Sequence, residues 1–387
     1  MAVEEVEARF LSSLSQISAA EWNRLAGTDY PFARHEFLLA LEQSGCTDAE
    51  SGWQPCHATL YRDNALVALM PLYLKSHSYG EYVFDWSWAD AWQRHGLSYY
   101  PKLLTAIPFT PATGPRLCIA EGEDAVACSR GLFAAVKQLA GQQAVSSWHV
   151  LFPSQEEALL LGQQGASTRL GSQFHWFNQD YSDFDDFLAG FNSRKRKSVK
   201  RERRRVAEQG IRLETLEGDA ISAWHWDRFY KFYQMTYAKR SGHGGYLNRS
   251  FFQQLGEQMA EHCVLVMAYR DETPVAGSLC FRSSDTLYGR YWGCDQEIDC
   301  LHFEACYYQG IEYCIKQGLR RFDPGAQGEH KIQRGFTPIV TVSSHWIADQ
   351  QFAAAIEDFT QREGEQIEAY IEEAASYLPF REQSAPD

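Results

Sequence analysis

The chain has 387 residues, 45% hydrophobic and 22% charged, with a net charge of −14. That length exceeds one ordinary core and suits two domains of roughly 150–200 residues, and the composition excludes a disordered chain. No run of eighteen apolar residues and no basic, apolar leader occurs, so neither a membrane span nor a secretory signal is expected, and the cytoplasm is the expected compartment.

In chain order, residues 7–45 carry a helical apolar pattern. His57–Tyr61 and Ala65–Leu74 alternate as strands around the turn Arg62-Asp63-Asn64. The ring-rich stretch 79–92 and the proline-rich stretch 99–111 predict no clean helix. A helix over 130–139, a strand over 147–152, a short helix and a strand over 173–177 complete a β-rich first half. Asp183 caps a helix bearing Phe184, Phe187, Leu188 and Phe191. A basic helix follows over 193–209 and stops at Gly210. A short strand (211–216) and helices at 224–237 and 251–259 lead to three successive strands at 264–269, 275–281 and 286–292. A helix at 303–317 and strands at 320–323 and 338–347 follow, then an acidic helix over 352–377 and a tail loose from residue 381. The order is that of a mixed α/β protein, with expected domains at 1–180 and 181–350 and an outer helix with tail at 351–387.

Ten cysteines occur, none as Cys-x-x-Cys, and read as reduced, mostly buried thiols. Charge is uneven. Nine basic residues and one acid, Glu202, lie between Arg194 and Arg205; that segment carries +8 and the remainder −22. An acidic body with one cationic patch suits a single phosphate-rich ligand better than a whole nucleic-acid-binding face. Helical spacing puts Arg194, Lys197, Arg201, Arg204 and Arg205 on one side, as phosphate-binding candidates, with a solvated charged face as the plain alternative.

The densest constellation runs from Asp323 to Phe336, where three glycines and a proline turn the backbone beside Glu329, His330, Lys331 and Arg334. It follows a strand end, where side chains project into the crevice of an open sheet. Arg290 and Trp292 end another strand, and His302 and Glu304 open the next helix, whose N–H groups favour anions. Two such residues without a third make a weak metal site, and none is assigned. In the first half Asp85, Trp88, Tyr99, Lys102 and Arg116 form a cluster of rings and charge that fits a binding wall or a structural turn equally well.

Phe191-Asn-Ser-Arg-Lys-Arg-Lys-Ser-Val-Lys-Arg-Glu-Arg-Arg-Arg-Val-Ala-Glu-Gln-Gly210 resembles the basic helix that opens the second half of the Fem aminoacyltransferases, as do Tyr230–Tyr237 and Phe251-Phe252. Over nearly the whole chain, Phe84–Asp90, Tyr99–Leu104, Pro108–Arg116 and Gly325–Lys331 resemble the bacterial predicted N-acyltransferases labelled peptidoglycan-biosynthesis proteins. The resemblance implies two tandem GNAT-like (acyl-CoA N-acyltransferase) domains and transfer of an acyl or aminoacyl group to a small-molecule amine or cell-wall-precursor acceptor. No tightly bound cofactor is implied; acyl-CoA or aminoacyl-tRNA serves as co-substrate, with tRNA as a candidate partner. Under that resemblance Glu329 or His330 is the base, with Lys331 beside it. Arg290, Lys331 and Arg334 hold anionic groups, and a backbone N–H near Tyr291–Gly293 polarises the carbonyl. One departure stands out: the interval Cys294–His302 has no glycine, so the usual pyrophosphate-binding loop is missing, which favours a Fem-like donor. The alternatives are an RNA- or ligand-binding module without chemistry, or an inactive scaffold serving as an interaction platform.

Overall fold

The computed structural model describes residues 6–242, 244–326 and 328–381. His243, Gln327 of the Gly325–Lys331 motif and residues 382–387 lie outside them, whereas Arg381, the first residue of the tail expected to be loose, is hydrogen-bonded to the Gly190 and Phe191 carbonyls. The chain forms two compact units, Met1–Gly171 with Val340–Glu368, and Ser172–Ile339 with Ala369–Asp387. The first boundary thus falls nine residues before the expected one. The closing helix is not a separate piece: its first part belongs to the first unit and its end to the second.

In the first unit, β1 (Val6–Leu11) precedes helices α1 (Ala19–Ala26) and α2 (His35–Gln43). Strands β2 (Trp53–Pro55), β3 (His57–Arg62), β4 (Ala65–Met70) and β5 (Tyr73–Lys75) follow. Then come α3 (Trp86–Arg94), β6 (Lys102–Thr105), β7 (Cys118–Ile119), α4 (Ala125–Gln143), β8 (Ser147–Leu151) and α5 (Gln155–Gly162). One sheet is ordered β1-β3-β4-β7. The other places β2, β5, β6 and β8 side by side, with β8 antiparallel to the end of β15 (Thr337–Ile347). Within it β6 and β8 are parallel. Two expectations fail here. Residues 6–11 form a strand paired with β3 rather than a helix, because a partner fifty residues away satisfies its backbone. The ring-rich 86–94 stretch is helical, because Trp88 and Trp92, four residues apart, share one buried face against Tyr99, Ile347 and Ile356. The β3–β4 turn is as read: Asp63 and Asn64 both sit at positive φ, which short polar side chains tolerate.

The second unit begins in β9 (Ser167–Phe177), a longer strand than expected, and continues through α6 (Phe184–Ala189) into the basic helix α7 (Ser193–Glu208), capped by Asn192 accepting from the Lys195 N–H. Next come β10 (Ile211–Glu217), α8 (Ala223–Ser241), α9 (Arg249–Gln258) and the meander β11 (Cys263–Arg270), β12 (Thr273–Arg282) and β13 (Thr286–Cys294). The helix after β13 starts as α10 (Leu301–Phe303), passes through a π-helical turn at Glu304–Tyr308 and ends as α11 (Gln309–Gln317). β14 (Arg321–Asp323) then pairs parallel to β13 and antiparallel to β9, and a short 3-10 helix spans Glu329–Arg334. α12 (Gln350–Ser376) closes the chain. β11 and most of β12 are buried on both faces, as their unbroken apolar runs require. Gly293 lets α8 lie directly on β13: a Cβ there would stand 2.2 Å from the carbonyl carbon of Phe232. The Tyr230–Tyr237 and Phe251-Phe252 motifs serve this packing, with Phe252 meeting the rings of Trp226, Phe229 and Tyr233.

Candidate active site

Among the described residues each unit contains one parallel strand pair flanked by antiparallel neighbours, and the two pairs end differently. In the first unit β6 and β8 pair through Thr105 and Val150. Beyond them the chain folds back: Gly114 N–H donates to the Phe152 carbonyl at 3.2 Å and Arg116 Nε to the Leu151 carbonyl at 2.9 Å. The remaining Arg116 nitrogens bind the carbonyls of Ala112, Gly114 and Pro115. The first unit's fork is closed by its own backbone, and Arg116, fully buried, spends four of its five N–H donors on backbone carbonyls.

The other candidates of that half form an interior network. Lys102 Nζ donates to Ser78 (2.7 Å), Glu81 (2.8 Å) and Asp85 (2.5 Å), and Tyr99 Oη donates to Asp85 at 2.6 Å. Burial alone would raise the Asp85 pKa, but Lys102 pulls it down to about 2, so this is an ionised pair. Burial pushes Glu81 up to about 7. His149 and His345 meet Nδ1 to Nδ1 at 2.7 Å; burial, reinforced by nearby positive charge, keeps both neutral. Trp88 is a core residue of the same region, 4% exposed. Asp85, Trp88, Tyr99, Lys102 and Arg116 therefore stabilise the first unit and do not form an open binding wall.

In the second unit, β13 and β14 pair over only three positions, Thr286–Tyr288 with Arg321–Asp323. β14 then ends, and Gly289–Cys294 runs on without a strand partner on that edge among the described residues. Just past the parting, β13 carries a bulge: Leu279 faces Tyr291 while Cys280 faces Gly289, leaving Arg290 as the extra residue. Gly325, at φ +88°, turns the chain away from β14, and a Cβ there would lie 3.2 Å from the Gly289 carbonyl. The splayed strands form an open fork.

Three of the expected ligand-holding groups of this unit are committed internally. Arg290 and Asp323 form a buried two-point ion pair (2.6 and 3.2 Å) that ties the bulge to the end of β14. Burial would raise the Asp323 carboxyl, but Arg290 and His175 hold it far below the usual carboxylate range. Arg334 spans Glu202 (3.0 Å), Tyr308 (3.0 Å) and the His330 carbonyl (2.7 Å), with its guanidinium 3.5 Å over the Phe303 ring. Glu304, 3% exposed, binds Arg203 of α7 and Gln309. Desolvated, partnered charges of this kind hold a structure together and have little left for a ligand.

Lys331 is buried and donates to the Gly325 carbonyl at 2.7 Å, which secures the loop; burial lowers its pKa to about 8. Glu329 is exposed and accepts from Tyr370 Oη at 2.8 Å. His330 is exposed at the fork, with Nε2 2.9 Å from Tyr307 Oη and no hydrogen bond at Nδ1 among the described residues. Partial burial, helped by Arg334 and Lys331, lowers its pKa, so the imidazole is neutral near pH 7. His302 lies between Trp292 (ring centroids 5.4 Å apart), Tyr307 (5.3 Å) and His330 (6.4 Å); burial brings it to about 3. The fork thus presents a strand edge, a neutral imidazole with a free nitrogen, and cations on the adjoining helices.

On α7, Arg194, Lys197, Arg201, Arg204 and Arg205 are all exposed, on the face the helical spacing predicted. Arg204 pairs with Glu208 and Arg205 with Asp299, while Arg194, Lys197 and Arg201 have no carboxylate within 4 Å among the described residues. Val199 and Val206 fill the inward face.

The FemAB-like family model, described as peptidoglycan biosynthesis/recognition, matches residues 13–382. The chain belongs to the FemAB-like family. No curated protein matches its sequence. Among solved structures it resembles FemX (13% identity, TM-score 0.52, covering 88% of this chain and 98% of that one). It also resembles the C-terminal domain of a putative lysylphosphatidylglycerol synthetase from Agrobacterium fabrum (8%, 0.55, 90% and 97%). A conserved protein of unknown function from Bacteroides thetaiotaomicron is a third such structure (10%, 0.52, 88% and 99%). At these identities the likeness is one of fold, and it bears out the expected pair of GNAT-like, Fem-like α/β units.

Sequence reasoning about this FemAB-like chain missed Tyr307, Tyr308 and Arg240. Arg240, exposed in the last turn of α8, is close enough to His302 and Tyr307 to act on their charge states. Glu202 had a signal, as the single acid of the basic run. No helix among the described residues is long and apolar enough to cross a membrane, and no group of three His, Cys, Asp or Glu residues there could hold a metal ion.

Proposed function

We propose that this protein transfers an acyl or aminoacyl group from an activated donor to an amine at the β13–β14 fork of its second unit. The observation that carries this is the fork itself: the bulged, unpartnered edge of β13 is linked through Trp292 and His302 to a neutral His330. In this reading the donor carbonyl lies along Tyr291–Gly293, whose backbone N–H groups stabilise the oxygen as it gains charge. His330 donates Nε2–H to Tyr307 and uses the Nδ1 lone pair to take the proton of the attacking amine, directly or through a water. The amine nitrogen bonds to the carbonyl carbon, the bond to the donor's sulfur or ribose oxygen breaks, and that leaving group takes up a proton. Glu329, tied to Tyr370 and exposed, is the weaker candidate for the base. Arg194, Lys197 and Arg201 bind the donor's phosphates, which suits aminoacyl-tRNA and compensates for the glycine-free Cys294–His302 interval. The family's tie to peptidoglycan supports a cell-wall-precursor amine as acceptor.

Labelled acyl-CoAs and aminoacyl-tRNAs, each with a panel of amine acceptors, test this. Wild-type product that falls by about 10²–10⁴-fold in His330→Gln, with the fold unchanged, is expected. Undiminished turnover in His330→Gln removes it as the base. The free cations of α7 also favour a second reading, RNA capture without chemistry; salt-sensitive tRNA binding with no acyl product from any donor is its signature.

A further inference from the structure

The exposed face of α8 is a second cationic surface, different in kind from that of α7. Trp224, Arg228, Lys231, Met235 and Lys239 recur at spacings of three and four and lie on one side of the helix. All five are exposed, with Trp224 at 45% and Met235 at 41%. Between Ala223 and Ser241 there are four cations, Arg228, Lys231, Lys239 and Arg240, and one acid, Asp227, which Arg249 neutralises at 2.6 Å. The cations of the stripe have no carboxylate partner among the described residues, in a chain whose net charge is −14. Arg228 lies over the Trp224 ring, 5.6 Å from its centroid.

The exposed face of α7 holds cations without a large apolar side chain, which suits phosphates in water. The α8 face alternates cations with a large indole and a thioether. That combination suits a surface with anionic headgroups above an apolar layer, where tryptophan sits at the boundary and lysine stems snorkel. We propose that this stripe docks the protein on an anionic lipid bilayer. Arg240, in the helix's last turn, is close enough to the fork's His302 and Tyr307 to act on their charge states, so docking would hold the fork close to the membrane surface. This goes beyond the acyl-transfer reading and does not depend on it.

The test is co-sedimentation of the full chain with vesicles of phosphatidylethanolamine and phosphatidylglycerol (7:3) and with phosphatidylcholine alone. Binding to the anionic vesicles only, weakening with salt, is expected. Each basic residue near such a surface contributes about fivefold, so Arg228→Glu with Lys231→Glu should cost at least about 25-fold. Trp224→Ala with Met235→Ala should cost tenfold or more at unchanged net charge and melting temperature. Three outcomes overturn the proposal: no binding to anionic vesicles; binding unaffected by the Trp224/Met235 pair; or loss of tRNA rather than vesicle binding in the α8 variants, which assigns the stripe to RNA. Because no donor or acceptor is present, failure here leaves the transfer chemistry untouched, and the reverse also holds.

Discussion

Glu202 offers the sharpest test of how the basic helix is coupled to the fork. Its carboxylate accepts from Arg334 at 3.0 Å and from Tyr308, and Arg334 in turn holds the His330 carbonyl. Side-chain exposure is 17% for Glu202 and 9% for Arg334, so solvent screens the pair only in part. At 3.0 Å and an effective dielectric near 20 the Coulomb attraction is about 5 kcal/mol before desolvation is charged against it. Removing one partner of a buried pair typically costs about 3–5 kcal/mol. Partial exposure places Glu202→Ala near the lower end, about 3 kcal/mol, and Glu202→Gln, which keeps an acceptor, at about 1–2 kcal/mol. The control is Glu208→Ala, which breaks the pair with Arg204 whose side chains are 65–70% exposed; that should cost under about 0.5 kcal/mol. Urea unfolding followed by circular dichroism reads the difference, with the second unit's transition analysed separately. Turnover should also fall in Glu202→Ala, because the turn bearing His330 loses its anchor. If Glu202→Ala and Glu208→Ala shift that transition equally, the coupling argument is wrong.

The lowered pKa of His330 should put the acid limb of kcat/KM below pH 6.5, and a limb above that value in a pH–rate profile would count against it as the base. Lys331, at about 8 folded and about 10.4 unfolded, binds fewer protons folded, so stability should rise with pH across that window; Lys331→Met should lower the slope by up to one proton in pH-dependent urea melts. Replacing Arg194, Lys197 and Arg201 by Gln should reduce the salt slope of donor binding by about 2 if the donor is a tRNA, measured by filter binding. Gly293→Ala should destabilise the second unit by about 3 kcal/mol or more in a urea melt, since the new Cβ meets α8 backbone that cannot move alone.

Local patterns were readable from the residues. The Asp63-Asn64 turn, the extent and exposed face of α7, and the loop after β14 all follow from periodicity, capping and turn chemistry acting within a few residues. What failed was set at a distance. β1 resembles a helix until β3 supplies its hydrogen bonds. Arg116, Arg290 and Arg334 look like ligand-binding cations, yet each also binds a partner 35, 33 or 132 residues away, and no sequence pattern announces those distant bonds. The same blindness hid the Tyr307–His330 contact, formed across twenty-three residues by a π-helical turn.

The order of the units along the chain has a consequence for synthesis. The first unit owns residues 1–171 but also 340–368, and β8 gains its antiparallel neighbour only when β15 reaches Ile347. At 5–20 residues per second the ribosome delivers that strand roughly 10–35 s after residue 171, by which time nearly all of the second unit has emerged. The N-terminal half must therefore wait with β8 unpaired on one edge while its successor folds. A fragment ending near residue 180 should stay in that waiting state and be a ready substrate for chaperones and aggregation.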